Sequence, residues 1–331
     1  MNKFKYFPVL IPTLCRYEKF KTCVESLKNN LLASETELIV GLDYPTKESH
    51  WDGYEKIRDY LIKLDGFGKV TVLKRTHNYG AIKNEEDLIN YALNIYDAFI
   101  FSEDDNVFSS FFLKYINDSL NYTKERDDII AVCGYSHPIA WEINTDCLLQ
   151  NNFFSAWGYG IWKNKYYYLR NEIINTSFLN LVKKNSIKLL KNNKKNYYYA
   201  SRLFSQDDLC LTDIHISILM NIKNLFVVMP KISLVRNMGW DDEGSNCVRK
   251  VKYDFSNQLI YDNQIKQEYT DYHGRNLESF NRTFDSNHFS LNLCKAIINF
   301  IFLKILGINL YKNFYLKTKK AYKIIKRGND L

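Results

Sequence analysis

The residues best suited to chemistry in this sequence are three adjacent carboxylates, Glu103-Asp104-Asp105. Side by side they repel one another, so they stay ionised together only beside a compensating cation. An all-oxygen ligand set suits Mg²⁺ or Mn²⁺, which keeps part of its water shell and takes phosphate oxygens as further ligands. Such an ion would offset the charge that builds on a departing diphosphate. The plain alternative is a solvated turn or a helix N-cap. Arg16 is the second candidate. Its planar fork matches phosphate oxygens, and a surface pair with Glu18 is the bland reading.

The elements around these residues follow from hydropathy. Residues 6–13, 37–42, 69–74 and 98–102 are apolar or alternating runs that predict strands. Residues 17–32, 51–64 and 84–97 carry helical periodicity, the last beginning at Asn84. This β-α alternation predicts an α/β fold, a Rossmann-like and mostly parallel sheet with helices on both faces. Ligands of such sheets sit beyond the carboxyl ends of the strands. Arg16, Asp43 and Glu103–Asp105 each follow a predicted strand and are expected on one rim. Further on, 107–123 reads as a helix and 129–133 as a strand. Residues 153–162 read as an aromatic, glycine-rich turn, and 171–200 as a mobile surface segment. A helix is expected over 208–223, a strand over 225–229 and a polar loop over 236–250.

Composition narrows the classes. With 46% hydrophobic and 25% charged residues, the 331-residue chain reads as globular. The net charge of +8 sits in the tail, where nine Lys/Arg and one Asp follow position 294, leaving the rest close to neutral. No nucleic-acid-binding module is apparent, and no nucleic acid is expected as a partner. The 7 cysteines have no CxxC spacing, which reads as reduced thiols in a cytoplasmic setting. The N-terminal apolar run is too short for a membrane span and lacks a signal-peptide cleavage site.

Several blocks resemble a known family. The segment IYDAFIFSEDDNVFSSFFLKYI is similar to the metal-binding segment of GT-A-fold glycosyltransferases, most closely the N-acetylglucosaminyltransferase I type. PVLIPTLCRYEKFKTCVESL looks like that family's opening strand, loop and helix with its Arg. ELIVGLDYP looks like its second strand, and QNNFFSAWGYGIW like its acceptor-side turn. Bacterial glycosyltransferases of surface-polysaccharide pathways share this layout. The resemblance spans roughly residues 6–250 and implies a UDP-sugar donor, Mn²⁺ or Mg²⁺, and inversion at the anomeric carbon.

Residue by residue, the resemblance makes Asp105 the metal ligand, sets Asp104 on the ribose or a metal-bound water, and gives Glu103 the sugar side. Asp43 would accept the uracil N3–H, or else form an Asx-turn before Pro45. Asp213 would be the general base, with Asp208 the second candidate and a helix N-cap the alternative. The family has a Trp before two acids there; this chain has Thr212 before one, which leaves the base open. Trp240, in the loop NMGWDDEGSNC, would stack on a sugar as the loop closes over the donor. A sugar nucleotidyltransferase would carry a Gly-rich loop after its first strand, where PTLCRYEKF has no Gly. A non-catalytic sugar- or nucleotide-sugar-binding module of the same fold is the remaining rival.

Residues 1–290 are thus expected to form the transferase domain, 1–105 its nucleotide-sugar half and 106–290 its acceptor side. Residues 291–331 form a basic amphipathic tail suited to an anionic membrane surface, or else a C-terminal helix packed on the enzyme with its Lys face in water. The tail predicts a peripheral position on the inner face of the plasma membrane and a glycan or lipid-linked acceptor.

Overall fold

Apolar runs of this length bury both faces of a strand only inside a sheet that is covered on both sides. The computed structural model of the chain has that arrangement; it describes residues 5–151, 153–175, 177–204, 209–240, 255–271, 292–308 and 310–311. The first half alternates β1 (Val9–Thr13), α1 (Tyr17–Lys28), β2 (Glu37–Leu42), α2 (Trp51–Lys63), β3 (Lys69–Lys74), α3 (Ala81–Leu93) and β4 (Ala98–Phe101). Then come β5 (Asn106–Phe108), α4 (Phe112–Tyr122), β6 (Ile129–Cys133), β7 (Cys147–Gln150), β8 (Tyr159–Trp162) and α5 (Lys163–Ile174). They are followed by α6 (Ser177–Lys184), α7 (Ser186–Asn192), α8 (Lys194–Leu203), α9 (Asp213–Lys223), β9 (Phe226–Pro230), β10 (Val235–Asn237) and β11 (Tyr269–Asp271). A last helix, α10, covers 292–308.

Among the described residues nine strands form one sheet in the order β11-β7-β9-β6-β8-β4-β1-β2-β3, and β5 and β10 form a separate ribbon. The pairs β1–β2, β2–β3, β1–β4, β6–β9 and β7–β11 are parallel, while β8 runs antiparallel to both β4 and β6. The two-residue period of a strand sorts its side chains between two cores. Leu10, Ile39 and Phe99 join the core under α3 and α5–α9, whereas Val9, Ile11, Leu38 and Ile100 join that under α1, α2 and α4. The expected class, a mostly parallel α/β sheet flanked by helices, is the class observed.

Several boundaries differ for physical reasons. Helix α3 starts at Ala81, not Asn84, because Gly80 takes φ 74° and turns the chain into the helix. Asn84 is spent inside, donating to Gly41 O at 2.9 Å and accepting from Arg75 Nε at 2.9 Å. The helix expected from 107 begins only at Phe112, since 106–108 pair with β10. The expected turn over 153–162 ends in a buried central strand, β8. Gly160 within β8 lets α4 approach, because a Cβ there would lie 2.5 Å from Ile116 Cγ2. The segment 171–200 is helical and packed, not a loose surface stretch: Phe178, Val182, Leu189 and Ala200 are fully buried. Its Lys and Asn residues obscured an apolar face of helical period.

Candidate active site

Strands β1 and β4 are parallel neighbours, with Leu10 opposite Phe101, so the residues following each meet at the carboxyl edge. Thr13 Oγ1 donates to Asp104 Oδ2 at 2.8 Å. Arg16, at the N-cap position of α1, straddles the acidic pair, with Nη1 donating to Asp105 Oδ2 at 2.8 Å and Nη2 to Asp104 Oδ1. From the other side comes Asn237, which the ribbon pairs with Asn106. Its Nδ2 donates to Asp105 Oδ1 at 2.7 Å and to Asn106 Oδ1 at 3.1 Å. Met238 N donates to Asp105 O at 2.8 Å, and Gly239 N to Asn237 Oδ1 at 2.9 Å. A Cβ at Gly239 would stand 2.3 Å from Asp105 Oδ2, so glycine lets this strap cross the carboxylate.

The charges at this edge are unbalanced. Burial works against the Arg16 charge, but Asp104 and Asp105 more than offset it and hold the guanidinium protonated. Burial also raises the Asp104 carboxyl, with Asp105 adding and Arg16 opposing. Glu103 is pushed up to about 8, by burial first and then by Asp105, Asp213, Asp104 and Glu85. Glu85, on α3, is pushed up to about 7 by burial, Glu86 and Asp213. Five carboxylates therefore share one field, in which Arg16 pairs with Asp104 and Asp105 and Lys195 acts on Asp213.

That imbalance makes stability fall with pH. Glu103 has an ordinary value of 4.5, so between there and about 8 the folded chain holds a proton that the unfolded chain has lost. Its contribution is complete below the lower value and declines as pH rises through the higher one. The melting temperature of the metal-free protein is expected to drop between pH 5 and 8, and Glu103→Gln to flatten that drop by several degrees. An equally steep drop in the variant would contradict this assignment.

The donor set suits a hard divalent ion. Among the described residues no group of three or more His, Cys, Asp or Glu is gathered to hold an ion by itself. An ion here would be held by one or two carboxylates and completed by phosphate oxygens and water, as Mg²⁺ commonly is. Asp105 keeps a second lone pair on each oxygen beyond the bonds from Arg16 and Asn237. A cation there would relieve the crowding of Glu103, Glu85 and Asp213, which raises the first two carboxyls.

Asp213 opens α9, where Thr212 caps the helix by accepting from His215 N at 3.4 Å. Ile214 N donates to Asp213 Oδ1 at 2.8 Å. Asp213 keeps an exposed edge, yet burial of its carboxyl holds it above the usual range, with the Ile214 N–H and Lys195 opposing. It borders a cavity of about 150 Å³ lined also by His137, Phe153, Asn196, Tyr199 and Ser217. The His137 and Phe153 rings lie 4.2 Å apart at 38°, forming one aromatic wall. Two residues after Asp213, His215 is pushed down to about 4 by burial and is neutral at physiological pH.

Asp43 lies on the same edge but is occupied. Its Oδ1 accepts from Tyr44 N and Tyr79 N, each at 2.8 Å, and its Oδ2 from Gly80 N at 3.0 Å and Asn78 Nδ2 at 3.2 Å. All four acceptor positions of the carboxylate are thus taken by its own turn and the 78–80 loop, the Asx-type alternative. Asp43→Ala leaves three part-buried N–H groups without that acceptor and is expected to cost about 1–3 kcal/mol, read in a urea melt. A change within experimental error would contradict the tying role. Trp240 stacks on Phe255 at 4.4 Å and 22° and meets Trp157 edge-on at 6.0 Å, so one of its faces is already covered. Asp208 and positions 241–250 of the polar loop lie outside the described residues.

Thr13, Asn237, Gly239 and Glu85 went unread in the sequence. Thr13 had a signal, being the last residue of a strand beside the acidic one. Asn237 and Gly239 reach Asp105 only through the β5–β10 pairing, which no local pattern announces.

No protein-family model matches the sequence, and no curated protein matches it. Among solved structures the likenesses found are weak, at 13–17% identity. S. aureus TarS 1–349 is 14% identical with a TM-score of 0.40, over 70% of this chain and 59% of that one. Mannosyltransferase PcManGT from Pyrobaculum calidifontis, in complex with GDP-Man and Mn²⁺, is 13% identical with a TM-score of 0.35, over 48% and 46%. TarS 1–349 in complex with UDP-GlcNAc is 16% identical with a TM-score of 0.32, over 41% and 37%. The match to a longer S. aureus TarS chain covers only 23% of that chain. At such scores the likeness is partial, and what the site does is read from its own residues. Among the described residues no helix is long and apolar enough to cross a membrane.

Proposed function

We propose that this chain is a metal-dependent glycosyltransferase that moves a sugar, hexose or N-acetylhexosamine, from a UDP-sugar to a hydroxyl of a glycan or lipid-linked acceptor, with inversion. One observation carries the reading: Thr13, Arg16 and Asn237 gather Asp104 and Asp105 at the carboxyl edge of the sheet, beside a Glu103 that burial, and then Asp105 and Asp213, push up. That field asks for a cation, and a cation there would receive a diphosphate. Residues 1–105 supply the donor half of the site and 106–290 the acceptor half.

Asp105 and Glu103 would hold the Mn²⁺ or Mg²⁺. Bound there, the ion supplies Lewis-acid stabilisation of the leaving diphosphate. Arg16 is fixed by Asp104 and Asp105 and presents the remaining edge of its fork to phosphate or nucleotide oxygens. The acceptor occupies the cavity with a sugar face on Phe153 and Tyr199 and its reacting hydroxyl at Asp213. Asp213 takes the hydroxyl proton as the oxygen bonds to the anomeric carbon. The carbon–oxygen bond to the diphosphate breaks, and its electron pair leaves with the diphosphate. Surface-polysaccharide or glycoconjugate synthesis is the setting in which such a reaction would serve.

A nucleotide-sugar-binding module without turnover is favoured by one feature. Both oxygens of Asp104 and of Asp105 already accept hydrogen bonds. Incubation with each common UDP-, GDP- and CMP-sugar, Mn²⁺ and a panel of sugar acceptors separates the two readings. Metal-dependent nucleotide release from a UDP-sugar supports the transferase, while binding without release in every combination supports the module.

A further inference from the structure

Helix α10 is apolar on two sides. Its inner face, Ala296, Phe300 and Leu303, is buried against the core. On the outer face Ile297 is 36%, Ile298 51%, Ile301 51% and Ile305 73% exposed. At about 100° per residue these four side chains span an arc of roughly 100°, and Cys294 and Ile308 fall inside it. A helix apolar all round is normally buried on every side. Here the outer stripe faces out, and no polar residue interrupts it.

The position of the charges says what covers it. Lys304 and Lys295, both exposed, flank the stripe on opposite margins of the helix. A lysine at each margin can bury its stem beside the stripe while its ammonium reaches up to a headgroup. In the sequence, seven further basic residues follow within 312–327, against the single acid Asp330. An apolar stripe between cations, continued by a basic segment, complements an anionic lipid surface. It does not complement a second copy of the same chain, whose stripe would carry like charges along both margins.

We propose that the outer face of α10 docks in the interfacial region of an anionic phospholipid bilayer, lying in the membrane plane. Phe300 stacks on Tyr197 of α8 at 4.6 Å and 24°, and Phe204 meets it edge-on at 5.9 Å. Two neighbours of Tyr197 on α8, Asn196 and Tyr199, line the cavity beside Asp213. Docking therefore brings the cavity within one helix of the lipid. If the proposed transfer holds, the acceptor whose reacting hydroxyl lies closest is one carried on a lipid.

The test is sedimentation of the full-length protein with phosphatidylcholine vesicles, with and without phosphatidylglycerol, at low and high salt. Binding to the anionic vesicles is expected, reduced at least tenfold by Ile301→Glu/Ile305→Glu and weakened by salt. Circular dichroism and UDP binding, measured on the same variant, report that the fold and the donor site are intact. Loss of UDP binding in the wild type would count against the transferase, not against docking. Absence of vesicle binding, or equal binding by the variant, overturns the proposal. A concentration-dependent dimer that the variant abolishes, without vesicle binding, would make the stripe a contact between copies and overturn it equally.

Discussion

Asp105→Asn is expected to lower kcat/KM for sugar transfer about 10³-fold. A metal-held diphosphate is worth several kcal/mol of leaving-group stabilisation, and each 1.36 kcal/mol is a factor of ten. The substitution keeps the shape of the side chain but removes its charge. It also sets an amide NH₂ against either Arg16 or Asn237, both of which are donors in this arrangement. That mismatch costs about 1–3 kcal/mol of stability, so a melting curve must accompany the kinetics. A variant that is folded at the assay temperature yet loses Mn²⁺-dependent UDP binding locates the metal at this edge. Full activity in Asp105→Asn would remove Asp105 from the site.

Asp213→Asn is expected to act differently. Without a proton acceptor, kcat falls by about 10²–10⁴ while UDP affinity stays as in the wild type. The pH profile adds a second readout. Asp213 works ionised, and its carboxyl sits above the ordinary range because burial disfavours the charge. Wild-type kcat should therefore rise with pH through that elevated value and level off, and the rise should vanish in the variant. The melting temperature of the metal-free protein moves in the opposite sense between pH 5 and 8, as Glu103 dictates. Activity and stability with opposite pH slopes would be hard to produce from any site without crowded carboxylates. Unchanged kcat in Asp213→Asn would pass the role to another residue, Asp208 first.

Much of this arrangement was legible in the chain itself. Strand β2 begins and ends where an apolar run places it, and β3 where alternation does. The meeting of Arg16 with Asp104 and Asp105 followed from parallel strands delivering their ends to one rim. Long-range pairing was not legible. The ribbon that brings Asn237 against Asp105 joins positions 132 apart, and its three-residue strands are too short to show a period. The packed helices of 177–203 were masked by lysine and asparagine on their outer faces. Asp43 shows a different limit: sequence places a carboxylate at a strand end, but only the fold reveals that its own loop has filled it.

The most direct test of the central reading is a calorimetric titration of the full chain with UDP, with and without Mn²⁺, repeated on Asp105→Asn. Saturable binding of one UDP per chain is predicted, strong with Mn²⁺, weak without it and lost in the variant. No UDP binding with any divalent ion, or binding indifferent to both Mn²⁺ and Asp105, would contradict a metal-diphosphate site at this edge.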